Sequence, residues 1–485
     1  MIKNQKRKIK RHICLLLMGG FVCLSFAITS CSESNHIDID SPVSVYDSSQ
    51  PVVFKDFTPK EGPMRTKLYI NGNNFGTDAS KIKVKIGEKE MKVVGSDGQQ
   101  IYCVVPQKTT TGQVSVSITG LDTTKIVSHT FNDEFVYDQK VMVSTLLRNV
   151  DQYGNSSIQD GTFAKAGFKN PGFMNWNAST QCLYVTEIGN SIRKIDLANQ
   201  EVTTLLTNSQ ASFQNLQSFN FNTARDSLFL IDDNGEGSSD VNKVAISYAL
   251  LSEGYRKAYP YIYGRCGYCV VIHPADNCKF YDTYWNAAMI KVNGKYNASS
   301  NTYSGKDLFF MTAFGTVSGI GRCYMTIHPS GKYMLIGLGD RPCILKSDYN
   351  FSTHEFMSPT IFAGNFNSSG FTDGVGPTAR FNNPCQGVFV KNEDYVKAGK
   401  EDVYDYYVCD RENCCIRKIT PEGVVSLYAG RGSVSVNSNF WGYIDGDLTK
   451  DARFNQPQGI AYDEASQTFY ISERDNHDIR MITFQ

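Results

Sequence analysis

The sequence has no excess of charge of either sign, because 48 lysines and arginines balance 48 aspartates and glutamates in 485 residues. Binding to nucleic acid needs a concentrated basic face. The only basic cluster lies between Lys3 and Arg11, at the very start of the chain. We therefore exclude DNA and RNA as partners.

Signatures of common enzyme and metal sites are also missing. The sequence contains neither a G-x-S-x-G nucleophile motif nor an H-E-x-x-H zinc motif. Cys266-Gly-Tyr-Cys269, with Cys278 nearby, has no second C-x-x-C to complete a zinc site. No metal and no cofactor are predicted. Eleven cysteines follow Cys31, an odd number that cannot all pair, and which of them form disulfides stays open.

Long apolar runs are absent except for Ile13–Ile28, which follows the basic cluster. This segment is typical of a secretory signal and is too short and wrongly flanked for a transmembrane helix. The stretch Ile28-Thr29-Ser30-Cys31 resembles a bacterial lipobox. The resemblance implies that residues 1–30 are removed and that acyl chains on Cys31 anchor the protein without spanning the membrane. Ordinary signal cleavage, with Cys31 incidental, is the alternative.

Residues 31–50 are polar and mildly acidic and have no apolar period, which predicts a flexible tether. Glu33, close to Cys31, gives this segment a likeness to the surface-export signal of Bacteroidetes lipoproteins. The resemblance implies a lipoprotein of the outer membrane that faces the cell exterior, although the sequence leaves the choice of leaflet open.

Residues 51–138 alternate short strands with turn signals, as in Lys67–Ile70 followed by Asn71-Gly72. This period-two pattern predicts an antiparallel sandwich. In sequence and order, Phe57–Pro63, Ile70–Gly76 and Cys103–Pro106 resemble an immunoglobulin-like IPT/TIG domain. The resemblance implies a spacer.

Residues 141–485 contain internal repeats. TARFNNP at 378–384 returns as DARFNQP at 451–457 and, more loosely, as FAKAGFKNP at 163–171. An Asp-Gly pair precedes each copy, and a signature beginning with Asn recurs at Asn190, Asn413 and Asn476. These units are similar to the NHL repeat, which implies four-stranded propeller blades.

The rhythm of the strands gives six inner sets but only five outer strands after them. Val141–Leu147, just before the first set, resembles the missing outer strand. Its pairing with the C-terminal set would close the ring and leave no exposed edge. The prediction is an all-β chain, an immunoglobulin-like sandwich followed by a six-bladed NHL-type propeller closed by this N-terminal strand; seven blades is the alternative.

The repeated motif itself is interpreted as architectural. We expect Phe381 and Phe454 to be buried between blades, and Pro384 and Pro457 to lead into inner strands. Each signature that begins with Asn also contains an arginine, at Arg193, Arg417 and Arg480. We expect the aliphatic stem of each arginine to pack along the neighbouring blade.

We expect a ligand-binding site on the face of the propeller that carries the turns between strands two and three and the segments between blades. Flat aromatic side chains beside planar amide, carboxylate or guanidinium groups suit sugar rings. The predicted ligand-binding residues are Tyr153, Trp285, Asn286, Asp340, Arg341, Asp410, Arg411, Trp441, Glu473 and Arg474. The alternative is that the acids and amides bond to their own backbone and that each tryptophan packs within its own loop.

Lipoproteins of this layout accompany nutrient-uptake systems of the SusC/SusD type, and the resemblance implies capture of a glycan for such an importer. One alternative is a protein- or peptide-binding scaffold of an outer-membrane importer. Another is a polysaccharide-cleaving enzyme, which would need two facing carboxylates. Enzymatic activity is therefore left open, and binding is the favoured prediction.

Overall fold

The structure is a computed structural model that describes residues 46–106, 109–119, 126–211, 213–234, 243–264, 267–283, 288–297, 302–310, 322–339, 341–432 and 438–485. The predicted signal, Cys31, Trp285, Asn286 and Asp340 lie outside these residues. Strands dominate the described chain. The described helices are the α-helices Asn208–Ala211 and Glu393–Lys397 and the 3-10 turns Ala79–Lys81, Leu251–Glu253, Gly376–Thr378 and Arg411–Asn413. None of the described helices is long and apolar enough to cross a bilayer.

The N-terminal domain is an immunoglobulin-like sandwich. Its strands, in the order in which they pair, are Val53–Thr58, Lys67–Asn73, Gln100–Val104, Lys89–Ser96, Ile82–Ile86, Gly112–Thr119, Ile126–Tyr137 and Glu61–Gly62. Alternation fixes the core. In the second strand, Leu68 and Ile70 are fully buried, whereas Tyr69 between them is half-exposed.

The second domain is a propeller of six antiparallel four-stranded blades, so the seven-blade alternative is wrong. From the inner to the outer strand, blade 1 consists of Pro171–Asn177, Cys182–Glu187, Ser191–Asp196 and Glu201–Thr207, and blade 2 of Leu216–Phe221, Ser227–Asp232, Val244–Leu250 and Ala258–Tyr263. In the same order, blade 3 consists of Val270–Ile272, Lys279–Asp282, Ala288–Asn297 and Thr302–Phe310, and blade 4 of Cys323–Ile327, Tyr333–Leu338, Cys343–Asn350 and Thr360–Gly364, with Glu355–Phe356 beside its third strand. Blade 5 consists of Pro384–Lys391, Tyr404–Asp410, Cys415–Ile419 and Val424–Gly430, and blade 6 of Pro457–Asp463, Thr468–Glu473, Asp478–Phe484 and Val141–Arg148.

The predicted closure of the ring is confirmed. Val141–Arg148 pairs antiparallel with Asp478–Phe484, with Val143 opposite Ile482. Lys140 and Gln485 extend the ladder, since each backbone N–H donates to the other's carbonyl, at 3.3 and 3.0 Å. This pairing supplies the outer strand that blade 6 would otherwise lack.

The repeated segments join the outer edge of a blade to its inner strand. After each Asp-Gly aspartate, two residues form a short fifth strand on the blade edge: Gly161–Thr162 on blade 1, Gly374–Val375 on blade 5 and Gly446–Asp447 on blade 6. Each inner strand then begins at the motif's proline, as predicted. Phe381 and Phe454 are fully buried, also as predicted.

The two domains contact each other closely at blade 6. Only three residues separate the last sandwich strand, which ends at Tyr137, from the closing strand. Met142 of that strand packs into the hydrophobic core of the sandwich. Arg65 of the sandwich donates to the carbonyl of Asp445 at 2.5 Å.

The propeller has two faces, which we call the loop face and the turn face. The loop face carries the turns between strands two and three and the segments between blades. The turn face is the opposite one and carries the turns between strands one and two. Every inner strand runs from the loop face to the turn face.

Candidate functional site

Buried arginines organise the loop face in three blades. In blade 5 the guanidinium of Arg417 contacts Asp410 at 3.1 Å and Asp373, of the Asp-Gly pair, at 2.6 Å. It also donates to the carbonyls of Arg380 and Thr372, at 3.0 and 3.1 Å. The ring of Phe381 lies 5.2 Å from the guanidinium carbon. The bonds of Arg417 to Asp373 and to the carbonyls of Arg380 and Thr372 fasten the repeated segment to the blade.

The same arrangement recurs in blades 1 and 6. Arg193 contacts Glu187 at 3.5 Å and Asp160 at 2.9 Å, and Arg480 contacts Glu473 at 2.9 Å and Asp445 at 2.6 Å. We call each such set an arginine node. The sequence-based expectation that the arginine stem packs along the neighbouring blade misses these nodes, because the Asp-Gly aspartate of each node is distant in sequence from its arginine.

Asp410 and Glu473, two predicted ligand-binding residues, lie in these nodes and are fully buried. Asp410 accepts hydrogen bonds from the backbone N–H of Asn382 and the side chain of Asn413, both at 2.7 Å. Burial raises the pKa of Asp410 to about 6, against the lowering effect of Arg417. Both carboxylates therefore lie beneath the rim and position the loops above them.

Blade 3 has the acid without the arginine. Asp282 ends the second strand, as Asp410 does in blade 5, and accepts N–H bonds from Cys269 at 2.6 Å and Tyr268 at 3.2 Å. Its Oδ2 atom is buried without a partner in the described structure. Burial raises the pKa of Asp282 to about 7, and no cation of the described residues forms an ion pair with it.

Arg411 and Arg474, two predicted residues of the loop face, differ in how far their side chains are exposed to solvent. Arg411 is buried, with Glu412 at 3.4 Å. Glu412 also accepts a bond from Gln456 at 2.8 Å, which links blades 5 and 6. Arg474 is more exposed and pairs with Asp475 at 2.8 Å.

Tyr153 and Trp441 are the most exposed predicted residues, at 80% and 57% of their surface. Trp441 forms an isolated bridge with Phe454, and neighbouring Tyr443 lies over Arg148 at 4.2 Å. Tyr153 lies on the segment that precedes the inner strand of blade 1, and Trp441 lies on the segment that precedes the inner strand of blade 6. They do not line the groove described next.

A polar groove of about 410 Å³ opens on the loop face between blades 4 and 5. It is lined by Gly339, Arg341, Pro342, Phe366, Asn367, Ser369, Asn382 and Asn383. The guanidinium of Arg341 lies 5.4 Å from the Phe366 ring, and no described acid pairs with it. Arg341 Nε and Asn383 Oδ1 are buried and have no hydrogen-bond partner in the part of the chain that the structure describes. Unsatisfied polar atoms of this kind are costly unless a ligand or water bonds to them.

Arg341 is thus the predicted residue that lies in a formed recess. Asn367, Ser369, Asn382 and Asn383 were not predicted. A signal for Asn383 existed in the repeat, which reads TARFNNP at 378–384 and DARFNQP at 451–457. The backbone of Asn383 and of its counterpart Gln456 is left-handed, with φ of 66° and 56°, and asparagine tolerates this conformation well.

A second cavity, of about 350 Å³, opens on the turn face and reaches into the central channel. His328-Pro329 lies in the turn between strands one and two of blade 4. His328 does hold its turn, with Ser330 at 2.7 Å and Asp402 at 3.2 Å. His273 and His354 both contact Asp276, at 3.1 and 2.7 Å, whereas His328 bonds to other partners. No group of three His, Cys, Asp or Glu among the described residues could hold a metal ion. The ten described cysteines carry free thiols.

Comparison with known proteins identifies relatives of both domains. Residues 51–133 match the IPT/TIG domain family. No curated protein matches the chain. An auxiliary nutrient binding protein from Bacteroides thetaiotaomicron is 32% identical, with 91% of this chain and 99% of that chain covered and a TM-score of 0.70.

Two further solved structures are similar over the same extent. An auxiliary nutrient binding protein from Bacteroides ovatus is 31% identical, with 91% and 100% of the two chains covered and a TM-score of 0.65. A proposed phosphatase from Bacteroides thetaiotaomicron is 30% identical, with 91% and 98% covered and a TM-score of 0.66. The chain therefore belongs to the same family as the Bacteroides auxiliary nutrient binding proteins.

Proposed function

We propose that this protein captures a glycan at the loop face of its propeller and passes it to an importer of the SusC/SusD type. In this proposal the acylated Cys31 holds the protein on the outer membrane, facing the cell exterior. Residues 31–50 act as a tether and the sandwich as a spacer. The names of two relatives that are more than 30% identical support a nutrient-binding role.

The groove between blades 4 and 5 is the observation that carries the proposal. It brings one guanidinium and three side-chain amides, those of Asn367, Asn382 and Asn383, to a recess of about 410 Å³. Guanidinium and amide groups bond to vicinal hydroxyls in pairs. Arg341 Nε and Asn383 Oδ1, at the buried edge of this groove, have no hydrogen-bond partner among the described residues.

The remaining predicted residues take supporting or peripheral roles in this proposal. Asp410 and Glu473 position the loops, and Arg411 braces blade 5 from below. Tyr153 and Trp441 are exposed and could contact only the outlying parts of a long chain. Trp285, Asn286 and Asp340 remain predictions.

Calorimetry of residues 32–485 against a panel of oligosaccharides tests the proposal. We expect Arg341→Ala to weaken binding about tenfold or more, since hydrogen bonds to a charged group contribute about 1.5–3 kcal/mol. Arg256→Ala, at an exposed arginine beside blade 2, is the matched control and should bind as the unaltered chain does. Failure of every glycan to bind would refute the proposal, and equal loss in both variants would refute the choice of groove.

A peptide ligand and hydrolysis are the competing functions. The similarity to a proposed phosphatase gives hydrolysis a specific observation to rest on. The same panel should therefore include peptides, and the incubated glycans and a chromogenic phosphate ester should be assayed for released product. Turnover of either substrate would replace capture by catalysis.

A further inference from the structure

The cavity on the turn face is built from the ends of the inner strands, where they surround the central channel. Trp176, Ile327, Phe389 and Tyr462, from blades 1, 4, 5 and 6, give it a half-buried apolar wall. Its volume, about 350 Å³, falls within the usual range of ligand pockets, roughly 300–1,000 Å³. It faces away from the groove at Arg341, so it is a separate recess.

The inner end of this cavity is held by one side chain. Gln386 of blade 5 accepts N–H bonds from Met174 at 2.9 Å and Ile460 at 3.2 Å, and donates to the Met174 carbonyl at 2.7 Å. These bonds tie blade 5 to blades 1 and 6 across the channel. The floor of the cavity is therefore preformed and needs no rearrangement to accept a ligand.

Arg225 brings a positive charge to the mouth of the cavity without a neutralising acid. Its guanidinium donates to the Trp176 carbonyl at 2.6 Å, and no carboxylate of the described residues lies within ion-pair distance. Burial lowers the pKa of Arg225. Glu464, which also lines the cavity, is exposed and does not pair with it.

Two amides that line the same cavity as Arg225 leave one donor and one acceptor for a ligand. Asn175 donates to Asn220 Oδ1 at 3.1 Å, and the N–H of Phe221 donates to the same oxygen at 3.0 Å. The Oδ1 of Asn175 and the Nδ2 of Asn220 have no partner in the described structure, and both residues line the cavity. A hydroxyl group, which both donates and accepts, matches this pair.

We propose that the turn-face cavity is a second binding site, for a small hydroxylated carboxylate held by Arg225. The carboxylate pairs with the guanidinium, a hydroxyl bonds to Asn175 and Asn220, and the body of the molecule packs on the apolar wall. Acidic monosaccharides and small hydroxy acids share this chemistry. The site is independent of glycan capture at the groove.

Binding of glucuronate, galacturonate and lactate to residues 32–485, with glucose as the neutral probe, tests the proposal by calorimetry. We expect at least one acid to bind tenfold or more tightly than glucose. Arg225→Met keeps the aliphatic stem and removes the charge, and it should abolish this preference; Arg256→Ala, at an exposed arginine that does not line the cavity, should leave it unchanged. Preference for the uronates points to a sugar acid, and preference for lactate to a hydroxy acid.

A second variant separates lost charge from lost folding. Asn220→Asp keeps the shape of the side chain and places a carboxylate in the same cavity as Arg225, where it repels an anionic ligand. It should therefore also abolish binding of the acids, with an unchanged thermal unfolding midpoint. The proposal is overturned if no acid binds more tightly than glucose. It is overturned equally if Arg225→Met and Asn220→Asp, both folded, retain the preference.

Discussion

At the scale of single residues, the position of each arginine relative to acids separates structural from candidate binding roles. Arg193, Arg417 and Arg480 are fully buried, and each meets two carboxylates. Arg225 and Arg341 meet none among the described residues, and both line recesses. Charge compensation is costly to omit in a protein interior, so these two positions are where we locate ligands.

Asp282 gives a pH-dependence that can be measured directly. Its pKa in the folded state is raised to about 7 from an ordinary value of 3.8. Between these two values the folded state holds a proton that the unfolded state has released, so this residue makes stability fall as the pH rises from 4 to 7. We expect Asp282→Asn to reduce that fall in the urea unfolding midpoint. Asp226→Asn, at an exposed acid, is the control, and equal pH profiles for all three proteins would contradict the prediction.

At the scale of elements, the repeated segment acts as a strap from the outer edge of a blade to its inner strand. Its ends were predictable, because Phe, Asn and Pro recur in order and proline marks the start of a strand. Its fastening was not predictable. Arg417 reaches Asp373, which lies 44 residues away, and no local pattern indicates which acid a buried arginine will meet.

The strap should fail when its arginine is removed. Arg417→Ala leaves Asp410 buried without its cation, and breaking a buried pair in this way costs roughly 3–5 kcal/mol. Urea unfolding of this variant should show a loss of that order, whereas Arg380→Ala, whose side chain bonds only to nearby carbonyls, should lose far less. A loss below about 1 kcal/mol for Arg417→Ala would show that the node is not needed.

At the scale of the whole molecule, most of the architecture followed from the sequence. Strand rhythm gave six blades and the closing strand, because period-two alternation and turn residues are local signals. The candidate sites followed less well. Arg341 was predicted, but Asn383 was hidden within a motif interpreted as architectural, and the turn-face cavity depends on strand ends that only meet when the ring forms.

We expect the strand pairing that closes the ring to be the least stable pairing of the propeller. Ile482, fully buried, lies opposite Val143 of the closing strand, and Ile482→Ala should cost about 2–5 kcal/mol. Hydrogen exchange should then show loss of protection first in Val141–Arg148, because this strand is not covalently continuous with its blade. Val425→Ala in blade 5 is the control, and loss spread evenly over all blades would contradict the expectation.

Closure also sets a timetable for biosynthesis. Ser144 and Gln485 bond to each other although they lie 341 positions apart in the sequence, so the closing strand leaves the ribosome long before its partner exists. Through that interval it carries an unpaired edge, which favours aggregation. The sandwich is complete by then, and its core already holds Met142. Early folding of the sandwich thus holds one face of the nascent strand in place until the rest of the chain arrives.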